Sequence, residues 1–391
     1  MCLAINRSDY MLHDPRDGAT TPHLLQVELN TIASSFGCMS ALTGRLHRHL
    51  LGRFAGEKSA AGETVRAHAN AVGVELSETG SRGAGAGRLV PDNPALEALP
   101  SALAAAHKCY GKDEAVVLFV VQSGETNTVD QRLLEFGLWD VHGVRAVRMT
   151  LAEIEADGVL SADGTLKVGG GDVEVAVVYF RAGYAPADYF GQTEWDARLK
   201  VERSTAIKSP SIAYHLAGTK KVQQVLAEEG QVERFLSAEE SALVRQCFAG
   251  LYPVGPGADP KITEDAIAHP DRYVLKPQRE GGGNNLYGDE LKAKLMPGAS
   301  TDAELQGFIL MQRIFPKPQP AIMVNRGRCV AGNSISELGV YSTYLGGGEG
   351  NVLLNEYAGY LVRTKLDGVD EGGVATGYAV LSSAIVGEGK K

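Results

Sequence analysis

Cysteine is scarce in this sequence, and none of it falls in a spacing that carries chemistry. Five occur in 391 residues, Cys2, Cys38, Cys109, Cys247 and Cys329, an odd and scattered set without a C-x-x-C pair. That excludes a disulfide framework and a thiolate zinc site, and implies unpaired thiols in a reducing compartment. Basic runs are lacking too. The net charge is −9, and nucleic acid and anionic membrane both demand clustered cations, so no nucleic-acid and no membrane partner is expected. No apolar run approaches the roughly 18 residues of a membrane span, and the N-terminus has no charged segment leading into an apolar one. The histidines lie away from every motif, and no Ser/His/Asp or Cys/His arrangement for nucleophilic catalysis is present. His47 and His49 fit a helix surface better than a metal. No internal repeat occurs. A soluble, cytoplasmic protein of two or three packed units is expected at this length.

What is present is glycine beside charge. The stretch Lys276-Pro277-Gln278-Arg279-Glu280-Gly281-Gly282-Gly283-Asn284-Asn285 follows the apolar run Tyr273-Val274-Leu275 and precedes Leu286-Tyr287. A β-prone run feeding three glycines reads as a strand ending in a loop whose backbone N–H groups can approach an anion. Lys276 and Arg279 offer cations for phosphate oxygens, and Glu280 offers the hard oxygen that Mg²⁺ prefers. The stretch is neither G-x-x-x-x-G-K-[ST] nor G-x-G-x-x-G, so both common nucleotide fingerprints are excluded, and a solvated hairpin loop is the plain alternative.

Elsewhere the periodicities predict an α/β chain. Residues 23–30 alternate as a half-buried strand, which puts Glu28 and Asn30 on one face, a pair able to hold hydrated Mg²⁺ or simply to face solvent. Helix is expected over 38–54, an open surface excursion without chemistry over 55–95, and helix again near 94–110. Residues 115–121, 144–149 and 173–180 read as strands, with a helical stretch near 129–139 between the first two. That spacing predicts a βαβ lobe with a mostly parallel sheet over 113–217, flanked by an N-terminal part, 1–112, and a nucleotide-binding part, 218–391. Arg181 follows the strand at 173–180, where ligands gather and an arginine can clamp a carboxylate, with Gly183 allowing close backbone approach. Thr219 is expected to cap a helix carrying Lys220 and Lys221 in its first turn, cations that oppose the helix dipole unless one meets an anion. Residues 308–314, 321–324 and 340–344 are expected to form one antiparallel sheet with the glycine loop as its lid. Glu337 lies in an apolar segment and needs a partner there. Arg363 and Lys365 share a strand face, and Glu371-Gly372-Gly373-Val374-Ala375-Thr376-Gly377 makes a second glycine-rich loop.

Assembled, these segments resemble the eukaryotic-type glutathione synthetase family of ATP-grasp ligases. The match runs in family order through Asn6-Arg7-Ser8-Asp9-Tyr10-Met11, Gln26-Val27-Glu28-Leu29-Asn30-Thr31-Ile32 with Ser34-Ser35-Phe36-Gly37, Asp130-Gln131-Arg132, Val178-Tyr179-Phe180-Arg181-Ala182-Gly183-Tyr184 and Glu202-Arg203-Ser204. It continues through 216–224, the glycine loop with its flanks from Val274 to Gly288, Ile335-Ser336-Glu337-Leu338-Gly339 and Leu361-Val362-Arg363-Thr364-Lys365. The resemblance implies an ATP-grasp fold with an inserted Rossmann-like parallel-sheet domain and glycine-rich lid loops. It implies Mg²⁺ held by Glu28, Asn30 and Glu280, with ATP as co-substrate. ATP contacts would come from Lys220, the loop from Lys276 through Asn285, Tyr287, Met311, Gln312, Arg313, Ile314, Glu337, Lys365 and Glu371. The dipeptide γ-glutamylcysteine would meet Arg7, Ile32, Ala33, Ser34, Ser35, Glu135, Arg181 to Tyr184, Arg363, Val374 and Ala375, with Arg7, Arg363 and Lys276 carrying the catalytic charge. A homodimer is also implied.

The chain departs from the family pattern at four places. Ala33 stands where a serine is common, Phe136-Gly137 follow Glu135 in place of polar residues, Glu371 replaces an aspartate, and Ala375-Thr376 replaces an Ala-Ala pair beside the incoming amino acid. The helical region that usually precedes Asn6-Arg7-Ser8 in the family is missing from this sequence, which fits either a short gene model or a natural truncation. The implied reaction is ATP-dependent ligation of γ-L-glutamyl-L-cysteine to glycine through an acyl phosphate. A ligase using β-alanine or serine as acceptor, or an inactive nucleotide-binding subunit, are the alternatives.

Overall fold

An apolar opening run and a later alternating segment make two antiparallel strands, β1 (Cys2–His13) and β2 (His23–Asn30), the first with Leu3, Ala4 and Ile5 fully packed. The computed structural model describes residues 1–14, 22–71, 89–279, 283–298, 301–348, 350–369 and 372–386. Three helices follow: α1 (Gly37–Phe54), α2 (Ala60–Ala71) and α3 (Ala95–Tyr110). The buried face of α1 is built from small residues, Gly37, Cys38, Ser40, Ala41 and Gly44. They let the helix close on its neighbours: a Cβ on Gly37 would lie 2.5 Å from Leu99 Cδ1. The region 55–95 is thus not wholly an open excursion, since α2 forms within it, while 72–88 lie outside the described residues.

The middle of the chain gives β3 (Val116–Val120), α4 (Thr128–His142), β4 (Ala146–Met149), α5 (Leu151–Asp157), β5 (Val159–Leu160), β6 (Leu166–Val168), β7 (Val173–Phe180), α6 (Gln192–Arg203) and β8 (Ile207–Ser209). Strands β4, β3, β7 and β8 pair in parallel, with β6 attached antiparallel at the start of β7 and β5 antiparallel to β6. The run Val-Val-Leu-Phe-Val of β3 is buried throughout, as a strand covered on both faces must be. Alanine-rich α3 lies between this sheet and the one built on β1, so one core joins Leu3, Ile5, Leu99, Leu103, Phe119, Tyr341 and Leu361. Gly137 of α4 makes its own departure legible: a Cβ there would press on the Pro100 ring of α3 at 2.7 Å.

The last part comprises α7 (Ile212–Ala217), α8 (Lys220–Ala227), α9 (Ala238–Arg245), β9 (Leu251–Pro253), α10 (Pro260–Ala268), β10 (Tyr273–Pro277), α11 (Gly288–Leu295), α12 (Asp302–Gln306), β11 (Phe308–Gln312), β12 (Gln319–Asn325), β13 (Arg328–Gly346), β14 (Val352–Leu366) and β15 (Val380–Ser382). Its strands do not form the one sheet expected. Strand β11 pairs with β10 and β9 in a separate three-stranded sheet, whereas β12 to β15 join β1 and β2 in the order β15-β14-β13-β1-β2, with β12 also on β13. Apolar runs fix that 308–312 is a strand but not its partner, and here Leu275 and Leu310 meet under Leu291 and Leu295 of α11. Among the described residues no helix is long and apolar enough to cross a membrane.

Candidate active site

The large sheet sets its charged residues in register. Arg7 stands opposite Asn30 on one side and Tyr341 on the other, Asp9 opposite Glu28 and Gly339, and Glu337 opposite Arg363. Side chains two apart on a strand share a face, so these residues form one cluster. Arg7 grips Asp9 with two bonds, Nε to Oδ1 at 2.7 Å and Nη2 to Oδ2 at 2.8 Å. Asp9 Oδ2 also accepts from Asn30 Nδ2 at 3.0 Å and Arg363 Nη2 at 3.1 Å. Arg363 pairs in addition with Glu337. The close approach needs Gly339: a Cβ there would lie 2.7 Å from Asp9 Oδ1 and 2.8 Å from Arg7 Cδ.

Two lysines reach the cluster from other elements. Lys276, on β10 of the smaller sheet, donates to the Val27 carbonyl at 3.2 Å, and Lys220, the first residue of α8, stands 3.6 Å from Glu28 Oε2. Both ammonium groups are largely buried. Thr219 occupies the N-cap position in extended conformation, but its hydroxyl makes no capping bond. The Lys221 amide goes instead to Gln278 Oε1 at 3.0 Å, and Lys220 Nζ to the Arg279 carbonyl at 3.2 Å. The start of the glycine loop is therefore the cap of α8, which holds the two lysines at one place.

Electrostatics follow from this crowding. Burial pushes the Glu28 carboxyl up, but Lys220, Lys276, Arg363 and Arg7 outweigh it and bring it down to about 2. Burial raises the Glu337 carboxyl above its usual range, with Arg363 opposing and Asp9 and Glu28 adding to the rise. For Arg7 burial works against the charge, yet Asp9 holds its guanidinium well above the ordinary value. Glu28 is thus a carboxylate kept ionised, one-quarter exposed, and faced by cations. Asn30 turns its amide nitrogen to Asp9, which leaves its oxygen for the site.

The residues expected at the dipeptide site gather around the segment 32–36, where Ala33 (φ 50°) and Phe36 (φ 75°) adopt the left-handed conformation that L-residues avoid. Strained backbone of this kind clusters at functional sites. Ile32 and Ser34 are buried, and Ser34 Oγ donates to the Ile5 carbonyl at 3.4 Å. Arg7 Nη1 donates to the Ser35 carbonyl at 3.4 Å, and Arg181 donates to the Ser34 carbonyl at 2.9 Å and to Ser35 Oγ at 2.6 Å. Arg181 is therefore not an open clamp, because it also faces Asp130 at 3.7 Å and Tyr179 Oη at 3.2 Å. Its Nε, like that of Arg363, is buried and makes no hydrogen bond among the described residues. Ala182 is buried, Gly183 (φ 78°) turns the chain, and Tyr184 Oη accepts from Gln122 at 2.9 Å. Glu135 lies inward on α4, paired with Arg132 and Arg148.

The expected nucleotide residues form a second group. Met311, Ile314 and Tyr287 share an apolar cluster with Leu25 and Val274, and the Arg313 guanidinium lies over the Tyr287 ring at 5.4 Å. Gln312 Oε1 accepts from the Gly250 amide at 3.0 Å, and Asn285 Nδ2 reaches Tyr287 Oη at 3.5 Å. Pro277 closes β10, buried, while Gly283 (φ 72°) and Asn284 lie in the loop beyond. Lys365 stands opposite Ile335, two residues from Arg363 on the same strand. Val374 is half-buried and Ala375 exposed in the turn after β14. Glu280, Gly281, Gly282 and Glu371 lie outside the described residues.

Mg²⁺ can be tested against the donors present. Among the described residues no three His, Cys, Asp or Glu side chains gather in ligand geometry. Glu28 and the Asn30 oxygen are hard donors on one strand face, the first held ionised, and they fit two positions of an oxygen-rich site. Sequence reasoning missed Asp9 and Asp130. The signal for Asp9 was available: it lies two residues after Arg7, the spacing that marked Glu28 with Asn30.

Residues 1–386 match the model described as eukaryotic glutathione synthase, ATP binding domain. The chain is 46% identical over 386 residues to the chloroplastic glutathione synthetase of Solanum lycopersicum, covering 97% of this chain and 64% of that protein. It is 40% identical over 388 residues to the glutathione synthetase of Homo sapiens, covering 97% and 74%. The chain thus spans just under two thirds of the tomato relative's length. Its fold is similar to that of a glutathione synthetase-like effector from Globodera pallida, with a TM-score of 0.71 at 21% identity over 98% of this chain and 76% of the other.

Proposed function

The chain belongs to the eukaryotic glutathione synthase family, and we propose that it ligates γ-L-glutamyl-L-cysteine to glycine with ATP converted to ADP and phosphate. The observation that carries this reading is the convergence of Lys220, Lys276, Arg7 and Arg363 on Glu28 from four separate elements. A carboxylate and a triphosphate repel, and buried cations placed beforehand lower that barrier.

In this reading the cysteinyl carboxylate of the dipeptide attacks the γ-phosphorus of ATP, forming an acyl phosphate and releasing ADP. The glycine amine then attacks the acyl carbon, the C–N bond forms, and phosphate leaves. Lys220 and Lys276 neutralise phosphate oxygens, and Arg7 and Arg363 orient the dipeptide. Glu28 and Asn30, with Glu280, would hold Mg²⁺, which when bound supplies charge neutralisation at the phosphates. The glycine-rich loops after β10 and β14 exclude water from the acyl phosphate. No side-chain nucleophile is required. A homodimer in the cytoplasm completes the proposal.

A coupled assay of ADP release on the full chain tests it. Release should require ATP, Mg²⁺, γ-glutamylcysteine and glycine together; release indifferent to glycine would overturn the reading. Competition among glycine, β-alanine and serine, followed by product mass, fixes the acceptor.

A further inference from the structure

Asp9 has no surface. Its exposure is 0%, so it cannot touch substrate, and nothing in the reaction proposed above uses it. Yet its carboxylate takes two bonds from Arg7, one from Asn30 and one from Arg363, which fills its acceptor capacity of about four sites. These donors come from β1, β2 and β14, and each belongs to a residue assigned to ligand contact. Two of them are guanidinium groups of like charge that would otherwise repel. The third is an amide whose orientation decides whether its nitrogen or its oxygen faces the site.

We infer that Asp9 is the positioning residue of this site: it fixes Arg7 and Arg363 for the dipeptide and turns the Asn30 oxygen towards Mg²⁺. The inference rests on the ligase reading. Bidentate pairing locks the plane of the Arg7 guanidinium and leaves Nη1 to the Ser35 carbonyl. Rotating the Asn30 amide would set its oxygen against the Asp9 carboxylate, so that orientation is disfavoured. Partners behind a metal ligand commonly govern metal affinity by about 10–100-fold. Gly339 guards the arrangement, since any side chain there meets Asp9 Oδ1 and Arg7 together.

The test uses the full chain with Asp9→Asn, nearly isosteric and uncharged, and two readouts. One is the Mg²⁺ midpoint for binding of the non-hydrolysable ATP analogue AMP-PNP, which needs no turnover; the other is the separate KM of each substrate. The expected result is a rise of about tenfold or more in the Mg²⁺ midpoint and a raised KM for γ-glutamylcysteine, with the KM for glycine unchanged. Values of the Mg²⁺ midpoint and dipeptide KM within about twofold of wild type overturn the inference, as does a uniform loss in all parameters that tracks a lowered Tm. Should Asp9→Asn fail to fold, Gly339→Ala decides: it presses on Asp9 without changing charge and should move the same two quantities in the same direction, and wild-type values in both overturn the inference. A wild-type chain that binds Mg²⁺ and AMP-PNP but releases no glycine-dependent ADP sinks the ligase reading while the binding readout still judges Asp9.

Discussion

Asn325 Nδ2 donates to the Gly377 carbonyl at 2.9 Å, which ties the tip of the β12–β13 hairpin to the second glycine-rich loop. Arg326, itself left-handed at φ 50°, adds a bond to the Thr376 carbonyl at 3.4 Å. The loop is wound on itself as well, with Thr376 Oγ1 and the Tyr378 amide both on the Gly373 carbonyl at 3.0 and 3.1 Å. Gly377 suits its place twice over: its φ is 84°, and a Cβ would lie 2.6 Å from Arg326 Nη2. The hairpin is therefore a post for the loop after β14, which is proposed to exclude water from the acyl phosphate and whose Ala375-Thr376 pair matches the family position beside the incoming amino acid.

Removing the post should loosen the loop without disturbing the nucleotide. Asn325→Ala is expected to raise the KM for glycine several-fold, with the KM for ATP within about twofold of wild type and a net stability change of about 1 kcal/mol, the usual worth of one hydrogen bond. Steady-state kinetics with each substrate varied in turn would check this. Equal changes in both KM values would show that the hairpin serves the fold and not the loop.

Lys276→Met is expected to act on the chemical step. It keeps most of the buried stem and removes the charge, so Glu28 loses one of the cations that hold it ionised. The loss of a preorganised charge of this kind costs about a hundredfold or more in kcat. Single-turnover ADP formation measures it; a kcat near wild type would exclude Lys276 from phosphate contact.

Burial decides which ion pairs matter for stability. Asp130 and Arg181 face each other at 3.7 Å with side-chain exposures of only 3% and 1%, and Asp130 also accepts the Phe36 amide at 2.8 Å. Asp130→Ala leaves a buried guanidinium without its counter-charge and should cost about 3–5 kcal/mol. Arg45→Ala, which removes the pair with Glu97 where both side chains are more than half exposed, should cost less than about 1 kcal/mol. Urea denaturation of the two variants compares them directly.

Local pattern carried part of this site and long-range pairing hid the rest. That Glu28 shares a face with Asn30, and Arg363 with Lys365, was legible because a strand repeats every two residues, while Glu280, Gly281 and Gly282 of the glycine loop lie outside the described residues. Asp9 obeys the same period, but an aspartate at the end of the polar run Asn6-Arg7-Ser8-Asp9 resembles a solvated one. Its partner Arg363 lies 354 residues away and the partner amide 21 away, distances no local pattern spans. The same limit placed β11 in the wrong sheet. Thr219 was a plausible cap on identity alone, but Gln278, 57 residues on, reaches the Lys221 amide instead.

His215 gives the fold a pH response away from the charged cluster. Burial, and then the neighbouring Arg198 guanidinium, push its imidazole down to about 4 from an ordinary 6.5. Its Nδ1 is buried without a partner among the described residues, so a second proton would bring an uncompensated charge inside. The unfolded chain binds that proton as pH falls through 6.5, whereas the folded one does not until about 4. Between those values the unfolded state holds more protons, and stability declines as pH is lowered. The contribution is whole above 6.5 and gone below about 4, with a slope of up to about 1.4 kcal/mol per pH unit between. Glu28, depressed to about 2, adds its own loss only as pH falls below the ordinary carboxylate value of 4.5. Burial pushes the His47 imidazole down as well, so it responds with the same sign over that interval, and urea denaturation at several pH values from about 5.5 to 7 compares wild type with the His215 variant to separate the two. His215→Gln should flatten the profile in that window, while a slope equal to wild type would assign the response to another group.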